Sequence, residues 1–304
     1  MTRIFSKDSN FEVTSSNRDD VDLFNLEDTR NFITNHNPNV IINAAAKVGG
    51  IVANNSQRVD FILENLKINM NILESCISNN QIKVINLGSS CIYPLDAPNP
   101  IKEDYFMTGI LEPTNSPYAM AKLTAIEIGN ALNAQYGHNV INLMPTNLYG
   151  PGDNFHPTNS HVIPGLINRI HKAKECDAKN VEIWGDGTPL REFLYVDDLS
   201  NAIKFILENN IEQNLINIGS SHEISILELA NKIAEVINYP GKLIFDDTKP
   251  NGNDRKLLDS SIIFSLGWKP QIKLDEGLKN TYSWYLENIK SSYLMNQALW
   301  MLIR

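Results

Sequence analysis

No glycine occurs before Gly49 in this chain of 304 residues, which excludes a glycine-rich phosphate-binding turn from that whole stretch. Cysteine is scarce: Cys76, Cys91 and Cys176 are an odd number at wide spacing, with no CxxC pair and no His/Cys grouping of metal-binding type. A disulfide framework is therefore not expected, and free thiols in a reducing compartment are. Positive charge is also short, with 26 Lys and Arg against 35 Asp and Glu and a formal net charge of −9. The basic residues are scattered, so neither nucleic acid nor an anionic membrane is an expected partner, and an anionic ligand must be held by a few local cations. No run of about 18 apolar residues occurs, and the polar first 30 residues lack the apolar core of a signal peptide. A soluble, cytoplasmic protein is expected.

What is present is an alternation of short apolar runs with longer helical patterns, the signature of a doubly wound, mostly parallel α/β sheet. Phe11 to Thr14, Asn39 to Asn43, Lys83 to Leu87, Asn139 to Met144 and Leu215 to Ile218 read as strands. The segment from Val59 to Asn80 reads as a helix with Ile62, Leu66, Met70, Leu73 and Ile77 on one packing face. Ser116-Pro117 predicts an N-cap with proline at the first helical position, opening a helix to about Tyr136. Asp197 or Asp198 is expected to cap the next helix, and Ser225 with Glu228 forms a capping box. The division expected is a dinucleotide-binding portion at 1–150, a substrate-binding portion at 151–290 interleaved with it, and a tail at 291–304.

Open α/β sheets bind ligands beyond the carboxyl ends of their strands, and the strand at 83–87 delivers Gly88, Ser89, Ser90 and Cys91 to that edge. Tyr118 and Lys122 stand one helical turn apart and face the same way. A tyrosine with a pKa near 10 is a poor acid or base at neutral pH, so a neighbouring ammonium at Lys122 is expected to lower it. The loop from Pro151 to Pro164, rich in Asn, His and Pro, is of the kind that lines a site, and it carries His161.

Together, Gly88-Ser89-Ser90-Cys91-Ile92-Tyr93-Pro94, Glu112-Pro113-Thr114-Asn115, Pro117-Tyr118 through Lys122 and Met144-Pro145-Thr146-Asn147-Leu148-Tyr149-Gly150-Pro151 resemble the GDP-L-fucose synthases, extended short-chain dehydrogenases. So do Asp153-Asn154-Phe155-His156-Pro157, Ser160-His161-Val162 and Arg191-Glu192-Phe193, in order and over roughly residues 12 to 288. The resemblance implies 3,5-epimerisation of a GDP-linked 4-keto-6-deoxy sugar by Cys91 as base and His161 as acid. It then implies reduction of the C4 ketone with NADP(H), with Tyr118 as proton donor, Ser89 bonding the ketone oxygen and Lys122 holding the nicotinamide ribose. Arg18, Ala45, Asn147 and His161 join Lys122 as expected cofactor contacts, an arginine after the second strand suiting a ribose 2′-phosphate. Asn147, Arg169, Trp184, Arg191 and Lys249 are expected at the nucleotide sugar, where arginine forks suit a diphosphate. Arg255 is a further candidate to close over the nucleotide. A homodimer through the helices at 59–80 and 118–136 is also implied.

The family opens with a strand and a Gly-x-x-Gly-x-x-Gly turn, and this chain is expected to enter just after it. In the doubly wound order 3-2-1-4-5-6 that first strand is central. Its loss would strand buried backbone groups at about 1–3 kcal/mol each, against a total stability of about 5–15 kcal/mol. A late start codon, a truncated protein, or a fold that fills the slot with something else are the readings open. The residues from about Ser291 have no counterpart in the family, and an apolar tail helix is one expectation for them. Another sugar-nucleotide epimerase, dehydratase or reductase, or a silent sugar-nucleotide-binding homologue, are the alternatives in function.

Overall fold

The computed structural model describes residues 1–157, 159–249, 251–288 and 300–303. In chain order the first half runs α1 (Thr2–Phe5), β1 (Val13–Ser16), α2 (Leu26–His36), β2 (Val40–Asn43), α3 (Ile51–Ser56), α4 (Arg58–Cys76), β3 (Lys83–Leu87), α5 (Ser116–Tyr136), β4 (Asn139–Pro145) and β5 (Asn147–Tyr149). It continues through α6 (Val162–Glu175), β6 (Asn180–Trp184), β7 (Leu190–Tyr195), α7 (Val196–Glu208), β8 (Leu215–Ile218), β9 (Glu223–Ser225) and α8 (Ile226–Ile237). The chain then forms β10 (Lys242–Asp246), β11 (Arg255–Lys256), α9 (Ser261–Ser265), α10 (Leu274–Asn288) and β12 (Trp300–Ile303).

The main sheet has the order β1-β12-β2-β3-β4-β8. Its strands from β2 to β8 are parallel and in continuous register. Helices cover them, so they read as near-continuous apolar runs with Ile41, Ile42, Val84, Ile85, Val140, Ile141 and Ile216 fully buried. Two smaller sheets carry the other side of the cleft. In one, β6 pairs with β10; in the other, β7 lies between β5 and β11 and also pairs with β9. A second apolar cluster fills this portion, with Phe155, Ile170, Leu229 and Tyr285 at its centre.

The slot that the doubly wound order gives to its first strand is occupied. β12 lies there between β1 and β2, antiparallel to both, with Leu302 opposite Thr14 on one side and Ile41 on the other. The tail is thus a strand at 300–303 and not a helix there, while residues 289–299 and Arg304 lie outside the described residues. Because β12 runs backwards, it presents its start, at Trp300 opposite Ser16, to the edge where its neighbours end. β1 itself begins two residues later than the pattern suggests, so Arg18 follows it by two residues.

Four asparagines explain why α4 is rotated from its apolar pattern. Asn43, Asn86 and Asn142 stand in register on β2, β3 and β4 and are buried. Asn43 Nδ2 donates to Asn86 Oδ1 at 3.1 Å and to Asn69 Oδ1 at 2.9 Å, and Asn86 Nδ2 donates to Asn142 Oδ1 at 3.0 Å. An amide ladder of this kind must be sealed to be stable. α4 therefore turns Phe61, Asn65, Ile68, Asn69, Ile72 and Leu73 inward, and of the five residues on the expected face only Leu73 is buried. Met70 and Ile77 are exposed.

Two caps also differ. α5 starts one residue earlier than expected, with Asn115 as N-cap and Pro117 second in the helix. α7 has no side-chain cap. Asp198 instead accepts the backbone N–H groups of Gln271 and Ile272, both at 3.0 Å, tying the approach to α10 against α7. The Ser225 and Glu228 capping box of α8 forms as expected.

Candidate active site

The carboxyl end of β3 is shaped by a close approach. A side chain at Gly88 would stand 2.1 Å from the Met144 methyl of β4, so glycine there lets the Met144 side chain pack over the turn. The turn delivers Ser89, whose hydroxyl oxygen accepts the backbone N–H of Cys91 at 3.3 Å and whose dipole acts on the Tyr118 phenol. Buried Tyr93 holds the far side, its hydroxyl 2.6 Å from Asn217 Oδ1 under β8. Cys91 Sγ receives Asn115 Nδ2 at 3.5 Å from the start of α5. Ser89, Cys91 and Tyr118 thus converge with Asn115.

Lys122, one turn along α5, is 2 % exposed, and its ammonium donates to Leu87 O at 2.7 Å while standing 5.9 Å from the Tyr118 ring centroid. This geometry reverses the expected electrostatics. Burial pushes the Tyr118 phenol well above its ordinary range, with the Cys91 charge adding to the rise and the Ser89 hydroxyl opposing it. Burial also brings the Lys122 ammonium down to about 8. Lys122 is not among the groups that lower the tyrosine here; desolvation is the leading influence on both side chains.

His161 stands at the N-cap of α6 without capping it, and desolvation lowers its pKa. The loop before it packs closely on the segment after β2: a side chain at Gly50 would lie 3.0 Å from Ser160 O. Asp153 in the same loop has its carboxyl raised to about 7 by burial.

On the substrate side, Arg191 of β7 bonds Leu190 O at 2.8 Å and reaches Gly252, where a side chain would stand 3.3 Å from Nη2. Glu192 beside it is fully buried and accepts Ser221 N at 2.7 Å and Leu258 N at 3.1 Å, while its own carbonyl receives Asn147 Nδ2 at 2.9 Å. The carboxylate thereby ties two segments, and the backbone carbonyl a third, to the strand position beside Arg191. Trp184 is exposed rather than core, with the Arg169 guanidinium 6.0 Å over its ring and bonded to Glu182 O. Lys249 is exposed near Asp246, and Arg255 is held by two bonds to Glu223. Asn115, Glu192 and Asp153 were not singled out by sequence reasoning. For Glu192 the signal was available, as an acidic residue within an apolar strand run.

The residues present fit part of a dinucleotide. Ala44 to Ala46 leave a low floor at the end of β2, fixed by the Ala45 N–H on Asn43 Oδ1 at 3.2 Å, and Lys122 and Tyr118 lie on the neighbouring element. Arg18 is exposed beyond β1. Gly49 and Gly50 follow β2, whereas the pyrophosphate turn of a doubly wound fold follows its first strand.

A doubly wound sheet with Ser, Tyr and Lys at its carboxyl edge defines the short-chain dehydrogenase class. The chain belongs to the NAD dependent epimerase/dehydratase family, whose model matches residues 3–219. Within it, the chain is 50% identical over 270 residues to GDP-L-fucose synthase 1 of Arabidopsis thaliana, covering 89% of this chain and 84% of the relative. It is 45% identical over 286 residues to GDP-L-fucose synthase of Escherichia coli (strain K12), covering 91% and 89%. A GDP-L-fucose synthetase from Naegleria fowleri, solved bound to NADP, superposes with a TM-score of 0.84 at 29% identity, covering 91% of this chain and 85% of that one. No helix among the described residues is long and apolar enough to cross a membrane, and no cluster of metal-ligating type occurs among them.

Proposed function

We propose that the chain converts GDP-4-keto-6-deoxy-D-mannose to GDP-L-fucose by 3,5-epimerisation followed by NADPH-dependent reduction at C4. The observation that carries this reading is the convergence of Ser89, Cys91, Asn115 and Tyr118, in which the Ser89 hydroxyl accepts the Cys91 backbone N–H, Asn115 reaches the Cys91 sulfur, and Ser89 and Cys91 both act on the Tyr118 phenol. It sets a thiol for carbon-acid chemistry beside a phenol for ketone protonation. The C4 ketone acidifies the hydrogens on C3 and C5. As Cys91 thiolate takes one, the C–H bond breaks, an S–H bond forms, and the electron pair moves into the enolate. His161 returns a proton to the opposite face; its lowered pKa makes the imidazolium a stronger acid. NADPH, when bound, supplies the hydride. Tyr118, kept as a phenol by burial, gives its proton to the C4 oxygen, which Ser89 also holds by a hydrogen bond. Lys122 and Ala45 hold the nicotinamide ribose end, with Asn147 and His161 beside them, and Arg18 takes the 2′-phosphate.

Residues 1–150 hold the cofactor in this reading and 151–290 the GDP-sugar, with Arg191, Arg169, Trp184 and Lys249 at the nucleotide diphosphate. The protein acts in the cytoplasm as a homodimer. Support for the dimer comes from exposed Val59, Leu63, Met70 and Ile77 on α4 beside exposed Met120 on α5, an apolar stripe suited to the same helices of a second copy. In the decisive experiment, Cys91→Ser abolishes solvent-deuterium incorporation at C3 and C5 of the keto-sugar. Undiminished incorporation in that variant removes Cys91 from the chemistry.

A further inference from the structure

Asn115 is the N-cap residue of α5 and makes no side-chain capping bond. Asparagine is among the strongest capping residues, worth about 1 kcal/mol there, because its amide oxygen takes the free N–H groups of the first turn. Glu112 does the work of holding this turn. Its carboxylate accepts the backbone N–H of Thr114 and of Asn115, each at 3.1 Å, and the Thr114 hydroxyl at 2.6 Å. The Asn115 side chain is thereby released from the backbone and turns to the thiol, with Nδ2 3.5 Å from Cys91 Sγ. Its other end, Oδ1, is buried without a hydrogen-bond partner. A buried acceptor in that state has given up water and gained no partner, which is unfavourable. A forgone cap and a stranded carbonyl on one side chain, both at the reactive sulfur, mark a placement made for a ligand and not for folding.

We propose that Asn115 is a positioning residue for Cys91: its amide N–H holds the sulfur as thiolate, and its free Oδ1 takes a hydroxyl of the sugar as the ring docks. This rests on the reading of Cys91 as the carbon base. An amide suits the task because a hydrogen bond to the charged form favours that form, whereas a carboxylate of the same shape repels it.

The test follows alkylation of Cys91 by iodoacetamide across pH, read by peptide mass in a Cys176→Ser background. Cys176 is exposed and would otherwise react, while burial keeps the Cys76 thiol near 12. Asn115→Leu is expected to slow Cys91 alkylation about tenfold at neutral pH, because the sulfur loses the N–H that favours its charged form. Asn115→Asp, the same size as the native residue, is expected to displace the curve further. Coincident curves for the parent and both variants would overturn the proposal. If Cys91→Ser leaves deuterium exchange intact while the alkylation curves separate, the epimerase reading falls and the amide–thiolate pairing stands. Coincident curves beside abolished exchange sink the role of Asn115 alone.

Discussion

Lys122 and Tyr118 are spaced as their chemistry requires, yet their protonation is decided by burial and not by each other. With the Lys122 pKa brought down to about 8 in the fold and near 10.4 when unfolded, the unfolded chain holds more proton between those values. Stability contributed by this group therefore rises as pH climbs through that window. In the proposed mechanism function runs the other way, because the cation assigned to the ribose thins out above about pH 8. The expected profile of kcat/KM for ketone reduction has a basic limb with its midpoint near pH 8. Lys122→Arg stays charged throughout and should carry that limb out of the range from pH 7 to 10. A limb that stays in place in the arginine variant assigns it to another group.

Among elements, α4 and β2 to β4 show where sequence patterns mislead. The strands were legible because parallel strands buried on both faces read as apolar runs, and the chemical cluster was legible because Ser89, Cys91, Tyr118 and Lys122 sit on short local motifs. The face of α4 was not legible. A periodicity count treats asparagine as polar and outward, but Asn65 and Asn69 are buried against a strand-borne amide ladder that only the sheet register creates. The apolar residues left outside then read as core when they are a surface stripe. Asn115 was legible only as the end of a motif, because the cap was expected one residue later at Ser116 and the approach of Asn115 to Cys91 depends on how β3 and α5 meet. The ladder is testable through Asn86→Leu, which strips the donor from Asn142 Oδ1 at 3.0 Å. The expected loss is about 1–3 kcal/mol, a fall in Tm of about 2–8 °C by calorimetry. Adding Asn142→Leu should cost less than the sum of the single losses, because both partners are then apolar. Strict additivity would show that the two amides do not depend on each other.

At the scale of the molecule, the main sheet is continuous only through β12. β1 makes its ladder bonds with β12, and β12 in turn joins β2, so four residues at 300–303 link the outermost strand to the parallel core. The backbone groups on both sides of that slot face a sheet that is covered by helices, and each one left unpaired costs about 1–3 kcal/mol. Leu302→Pro isolates this contribution without shortening the chain. Proline removes one backbone donor and its ring cannot lie in a central ladder, where both neighbours need pairing. The variant is expected to unfold at a clearly lower temperature and at lower urea concentration. Native-state hydrogen exchange should report the loss first at β1 and β2, at Thr14 and Ile41 opposite position 302. β7 belongs to a different sheet, so its amides should keep their protection until global unfolding. Parental protection at Thr14 and Ile41 in the proline variant would show that β12 does not hold the sheet together. The slot would then have to be closed by other contacts of β1 with the core.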